Sequence, residues 1–361
     1  MKTGQAIRRG MRSYGRSLLS GSLLVCCMSC TDWIYEDRSG CDRGVYLNFR
    51  YDYNLQRADM FSDHVGGVTV YVFDADGDFV TSRSEANTAG SAPLRAKDYR
   101  MHLDLPAGEY RFVALAMQKE VAETQRGPGA KFRIAGPDGG KMEGLSVTLD
   151  HAPDGRVEHG GLPLDTLWHA MSPRSVVTSD LYAVSETLSL VRDTKHIDVV
   201  LREIDDPAGV DVADYDFRIT DRNLRLRYDN SVDESGPAVY TPYVAWNTED
   251  RTECEAAEGV GRMAHVGFMT SRILYHDRAE EDAVLTVTHR ETGREVIRVN
   301  LADMLARLRS ADELHACSEQ EFLDRGYDYR MTFFLKGDTW EAVDLEISVL
   351  NWNRRIQNVI L

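Results

Sequence analysis

The sequence predicts an all-β protein built as two β-sandwich domains. Three observations carry that expectation. Apolar and polar residues alternate over many short stretches, Gly- or Pro-containing turns separate those stretches, and few segments show a helical apolar stripe. A chain of 361 residues, of which 332 follow residue 29, is long enough for two ordinary cores.

The chain starts with MKTGQAIRRGMRSYGRS, which holds Lys2, Arg8, Arg9, Arg12 and Arg16 and no acid, and continues in an apolar run from Leu18 to Met28. That order is a secretory signal, with Met11 as a second candidate start. The run is about half of the ~20 residues that span a bilayer. Ser29 directly precedes Cys30, which resembles a bacterial lipobox whose cysteine sulfur receives diacylglycerol, although Cys27 stands three before Cys30 where Leu is usual; Cys27, with Leu24 three before it, is the alternative. Apolar filling of a signal segment is the plain structural reading of these cysteines. Residues 1–29 are assigned to the signal peptide and residues 30–43 to a lipidated tether, with Cys30 as the modified residue. Two or more acyl chains give stable anchoring, since each buried methylene contributes about 0.8 kcal/mol.

Removal of residues 1–29 leaves 37 basic against 58 acidic residues, a net charge of −21. Such a surface repels nucleic acid and anionic headgroups. Cys41, Cys254 and Cys317 then remain, an odd number in no zinc-binding spacing, so at most one disulfide forms within the chain.

The first domain is expected over residues 44–203. VYLNFRY puts Val45, Leu47, Phe49 and Tyr51 on one face. VTVYVFDADGDFV alternates and then turns at Asp76-Gly77, a hairpin signal. MHLDLPAGEYRFVALAM reads as another hairpin around Pro106 and Gly108, and Gln118 to Gly144 as a surface excursion rich in Gly and Pro. LSVTL, ETLSLVRD and HIDVVLREI add strands, the last two as a pair.

IDDPAGVDVADYD is the clearest composition shift and reads as a linker into a second domain at residues 204–361. Strand patterns follow in DFRITD, LRLRYD, AVYTPYVAW and RMAHVGFMTSRILY, and AVLTVTHRE and EVIRVNL form a hairpin across Thr292-Gly293. Leu301, Met304, Leu305 and Leu308 lie at helical spacing, and Ser318-Glu-Gln-Glu reads as a capping box opening a second short helix. Tyr329, Met331, Phe333 and Leu335, then Val343, Leu345, Ile347 and Val349, return to strand period.

Taken in order, the cysteine with its acidic tether, CDRGVYLNFRYDYN, VTVYVFDADGDF, LPAGEYRFVA, DTLWHA, SLVRDTKHIDVVL and ISVLNWN resemble the FimB-like fimbrial anchor and accessory lipoproteins of Bacteroidales, over nearly the whole chain. The resemblance implies two transthyretin-like β-sandwiches, with one or two short helices in the second, tethered to the cell outer membrane through lipid on Cys30. It implies fimbrial shaft or accessory subunits as partners, joined by exchange of an extended strand. An anchor that keeps its first strand would stop that exchange and limit polymer length. VYLNFRY is the candidate retained strand. Ile356, Val359 and Leu361, in the C-terminal IQNVIL, form the candidate donor segment, against the plainer reading of an edge strand in its own sheet.

No catalytic constellation, metal or cofactor is expected. Asp74, Asp76 and Asp78 have the alternation of a calcium loop, but Phe79 stands where such a loop needs glycine, and a hairpin turn suffices. His151, His159 and His169 show no ligand spacing, GPGAK is too short for a phosphate-binding loop, and no G-x-S-x-G occurs. Trp33, Trp168, Trp246, Trp340 and Trp352 raise an alternative, a surface carbohydrate-binding lipoprotein, against the plain reading of tryptophans as core.

Overall fold

The computed structural model describes residues 42–206, 209–250, 261–310, 317–337, 339–349 and 352–356. β1 (Gly44–Arg50) leads through the one-turn helix α1 (Phe61–His64) to the hairpin of β2 (Gly67–Asp74) and β3 (Phe79–Ala86). The Asp-Gly signal gives this turn: Gly77 takes φ +77°, and the Asp74 carboxylate accepts the N–H groups of Asp76 and Asp78 at 3.0 and 2.9 Å. β4 (Arg100–Leu103) and β5 (Gly108–Met117) follow. They are not the expected hairpin, because β4 pairs with β1 and β5 with β2, so Pro106 to Gly108 turns a corner between two sheets.

The Gly-rich excursion contains α2 (Val121–Thr124) and β6 (Phe132–Ala135), which pairs with β7 (Ser146–Leu149) and buries Phe132. Then come β8 (Arg156–Val157), β9 (Leu167–Met171), β10 (Val176–Thr178), β11 (Ala183–Ser189) and β12 (Val191–Arg192). β13 (Lys195–Glu203), β14 (Tyr215–Asp221), β15 (Arg225–Arg227), β16 (Val232–Asp233), β17 (Ala238–Tyr240), β18 (Val244–Asp250) and β19 (Gly261–Thr270) continue the chain.

β20 (Val284–His289) and β21 (Glu295–Asn300) form the expected hairpin. The predicted apolar stripe becomes α3 (Leu301–Ala306), which tightens into a 3₁₀ turn at Arg307–Ser310, and the Asn300 side chain caps it by accepting from Asp303 N–H at 2.9 Å. α4 (Glu319–Arg325) starts where the capping box places it, Ser318 Oγ accepting from Glu321 N–H at 3.1 Å. β22 (Asp328–Lys336), β23 (Thr339–Val349) and β24 (Trp352–Ile356) end the described chain.

The all-β sandwich class is the one observed. In the first sandwich a three-stranded sheet, β11-β1-β4, faces a central sheet ordered β12-β9-β5-β2-β3 with β10 also on β5. Between them lies a core that includes Val45, Leu47, Val70, Phe112 and Trp168. In the second sandwich an outer sheet, β18-β19-β13-β22-β23-β24, faces β21-β20-β14-β17-β8, around Ile197, Val199, Phe217, Leu285 and Phe333. The back of the central sheet, through Phe73, Val113, Leu115 and Met117, joins this second core together with the small sheet β16-β15-β7-β6. Strand pairing crosses residue 203, since β13 lies between β19 and β22 in the outer sheet. The Pro- and Gly-containing stretch after it connects β13 to β14.

Candidate functional site

Two features bear on a strand-exchanging role: where the first strand sits and what borders the last. β1 is the middle strand of its sheet, parallel to β11 along all seven residues from Gly44↔Ala183 to Arg50↔Ser189 and antiparallel to β4. Alternation supplies its grip, because Val45, Leu47 and Phe49 point into the core while Tyr46, Asn48 and Arg50 face outward. Asn48 sets the parallel register, its side-chain amide donating to Ser185 Oγ at 2.9 Å and to the Glu186 carbonyl at 3.2 Å. Gly44 is required where the strand begins: it has φ +87°, and a Cβ there would lie 2.1 Å from the Leu103 carbonyl oxygen. At the other end Tyr51 is buried, edge-on to Trp168 at 5.8 Å, and its N–H donates to Asp59 at 3.0 Å.

β24 is the opposite case. Among the described residues it sits at the edge of the outer sheet and pairs with β23, Ile356 opposite Leu345. Of the residues singled out for chemistry or exchange, Cys30, Val359 and Leu361 lie outside the described residues, as do Cys41 and Cys254, while Cys317 is buried.

Among the described residues, the tryptophan side chains do not converge. Trp168 is fully buried, Trp340 packs edge-on to Phe333 at 5.4 Å, and Trp246 is partly exposed and stacks on His265 at 5.0 Å. Trp33 lies outside the described residues, and Trp352 is placed by its backbone pairing with Val349. His159 and His169 are buried, and burial pushes both down to about 4; His169 Nε2 meets the Tyr228 carbonyl at 2.8 Å. The ring of His151 is held by its neighbour's carbonyl, at Ala152. Asp74 is turned back onto its own loop, as its two backbone hydrogen bonds require.

Sequence reasoning missed the crossover between the sandwiches, where Asp193, Thr194 and Lys195 are almost wholly buried. The Lys195 ammonium donates to the carbonyls of Arg192, Asp324 and Gly326 at 3.2, 3.1 and 2.8 Å. Asp193 accepts from the Asn230 amide at 2.9 Å, and Arg272 clamps Asp324 through two bonds at 2.8 and 2.7 Å. Burial pushes Asp193 up and Lys195 down. Removing one partner from such a buried network is costly, which ties together the strands that meet there. The signal for it was D-T-K between two apolar strands with no turn residue.

A profile of the family of fimbrillin-A associated anchor proteins Mfa1 and Mfa2 matches residues 38–358. The minor fimbrium anchoring subunit Mfa2 of Porphyromonas gingivalis is 22% identical over 295 residues, 80% of this chain and 79% of that protein. A candidate adhesin from Bacteroides thetaiotaomicron superposes with a TM-score of 0.70 at 29% identity, over 88% of this chain and 99% of that one. A candidate polysaccharide-binding protein of the same organism gives 0.65 at 27%, over 89% and 100%. The structure of the Porphyromonas gingivalis fimbrial anchor Mfa2 shares the fold, with a TM-score of 0.54 at 17% identity over 86% and 98%.

Proposed function

The chain belongs to the family of fimbrillin-A associated anchor proteins Mfa1 and Mfa2, a family of structural fimbrial anchors rather than of enzymes, and from that premise we propose that it holds a fimbria at the cell outer membrane through lipid on Cys30. It joins shaft or accessory subunits by strand exchange and ends the exchange at its own first sandwich. The observation that supports termination is the position of β1. A sheet whose middle strand is its own, buried at Val45 and Leu47, leaves no groove there for a donor. The division into domains at 44–203 and 204–361 is part of this reading.

Deletion of the gene, followed by imaging of fimbriae on cells and in the medium, tests the role. Long, shed fimbriae are expected, and unchanged fimbriae on cells would overturn the anchor. Mass spectrometry of the mature protein should find a chain running unbroken from Cys30, whereas a main species beginning near Tyr51 would remove the termination argument. Deleting residues 356–361, which include Ile356, Val359 and Leu361, should abolish co-purification with shaft subunits if this segment is the donor; unchanged co-purification leaves it an ordinary edge strand.

A second reading, surface binding of carbohydrate, has one observation in its favour: the likeness to the candidate polysaccharide-binding protein. Specific retention on a glycan array, lost in Trp246→Ala, would support it.

A further inference from the structure

The end of β10 and the loop from it to β11 carry exposed apolar side chains, Val177, Leu181 and Tyr182 being 68%, 58% and 61% exposed. The polar side chains between them are tied to nearby backbone, Thr178 buried, Ser179 half-buried and Asp180 exposed. Thr178 Oγ1 donates to the Pro106 carbonyl at 2.6 Å, Asp180 accepts from Ala107 N–H at 2.9 Å, and Ser179 Oγ accepts from Leu181 N–H at 3.1 Å. The loop is thereby fixed to the 106–108 corner, whose Pro106 and Ala107 are exposed as well. Five exposed apolar residues thus share one end of the first sandwich. Single exposed apolar residues need no explanation, but a patch held outward by its own polar neighbours marks a contact surface.

The position of the patch selects the occupant. Tyr182 immediately precedes Ala183, which pairs with Gly44, and Arg43 pairs with Asp104 at 2.6 Å, beside the same corner. The patch therefore borders the point where the chain leaves Cys30 behind, and only 13 residues separate Cys30 from Gly44. Whatever its conformation, a segment of that length cannot exceed roughly 45 Å. A lipid surface that holds Cys30 is thus kept close to the patch and at high effective concentration. Leu beside Tyr suits the boundary between acyl chains and headgroups, where tyrosine has both an apolar ring and a polar tip. The net charge of −21 after residue 29 selects zwitterionic lipid over anionic lipid.

We propose that Val177, Leu181 and Tyr182, with the Pro106-Ala107 corner, form a foot that rests in the headgroup boundary of the membrane and sets the protein's orientation on it. This rests on the reading that Cys30 is lipidated, and the experiment separates the two. Lipidated protein is reconstituted into phosphatidylethanolamine–phosphatidylcholine vesicles with brominated acyl chains, as the parent, as Tyr182→Trp, and as each in a Cys30→Ala background. Flotation reports attachment through Cys30, and bromine quenching reports contact of residue 182. The added tryptophan in the attached protein should be quenched at least twofold more than the parent's tryptophans. In the unsubstituted protein, amide exchange over residues 177–183 should slow on vesicles, a readout that does not depend on the variant. Flotation with no extra quenching and unchanged exchange overturns the foot and leaves the lipid reading standing. Failure of the parent to float overturns both. Shielding of residue 182 only after shaft subunits are added assigns the patch to a protein partner and overturns the foot.

Discussion

The central sheet packs on both faces and the outer sheet packs on one. In β5, Phe112, Ala114 and Ala116 face the first core while Val113, Leu115 and Met117 face the second. In β13, Ile197, Val199 and Leu201 point inward, whereas His196, Asp198 and Arg202 stay at the surface. Two histidines, one on each sheet, meet opposite fates. His169, on the central sheet, is buried against a carbonyl and held neutral, and His196, on the outer sheet, sits between Asp328 at 2.7 Å and Asp198 at 3.5 Å. Partners decide the outcome as well as layers, since His265, also on the outer sheet, is buried and pushed down by that burial.

The contrast is broken most directly by cavities. Phe112→Ala, on the front of the central sheet, should cost about 3–5 kcal/mol, and Leu115→Ala, on its back, about 2–5 kcal/mol. Urea unfolding checks both, and a near-neutral Leu115→Ala would show that the second face is not a true core.

Acid is the next lever. Burial holds His169 down at about 4, against the help of the Tyr228 carbonyl. The unfolded chain takes up this proton near pH 6.5 and the folded chain only near 4, so stability falls as pH drops across that window, by roughly 3 kcal/mol for a shift of this size. His169→Gln should flatten the fall, as read from unfolding midpoints between pH 7 and pH 4.

His196, on the outer sheet, should respond with the other sign. Burial opposes the charge on His196, but the hydrogen bond to Asp328 and the field of Asp198 outweigh it and raise the pKa. That contribution is complete below the ordinary histidine value and is lost as pH rises through the raised one. His196→Gln should remove this smaller alkaline loss, as read from unfolding midpoints above about pH 6. Smallest of all, Trp246→Ala on the outer face should change stability by no more than about 0.5 kcal/mol. A larger loss would mean that something covers that face.

Much of the inward pattern was legible. Val45-Leu47-Phe49, Ile197-Val199-Leu201 and Tyr329-Met331-Phe333-Leu335 each alternate because one side of a strand meets the core and the other meets water, and Ser318 announced its helix through a local cap. Partner choice was not legible. The segments joined at Pro106-Gly108 looked like a hairpin and belong to different sheets, because alternation records which face a strand buries and not which strand lies beside it. The unbroken run FVALAM did hold the sign of a strand covered twice, though its period matched a single face equally well. The parallel pairing of β1 with β11 spans more than 130 residues of intervening chain, and no local pattern encodes it. The buried Asp193 and Lys195 eluded the reading because charged residues between apolar runs ordinarily mark a turn.

The seat of β1 has a mechanical consequence. Tension applied at Gly44 runs along the strand axis, and ladder hydrogen bonds lie across that axis, so β1 is pulled in shear against β4 and β11 together. The bonds on both sides resist at once, where an edge strand drawn sideways would open one bond at a time. A tether fastened to the centre of a sheet therefore yields only when two ladders fail in the same event.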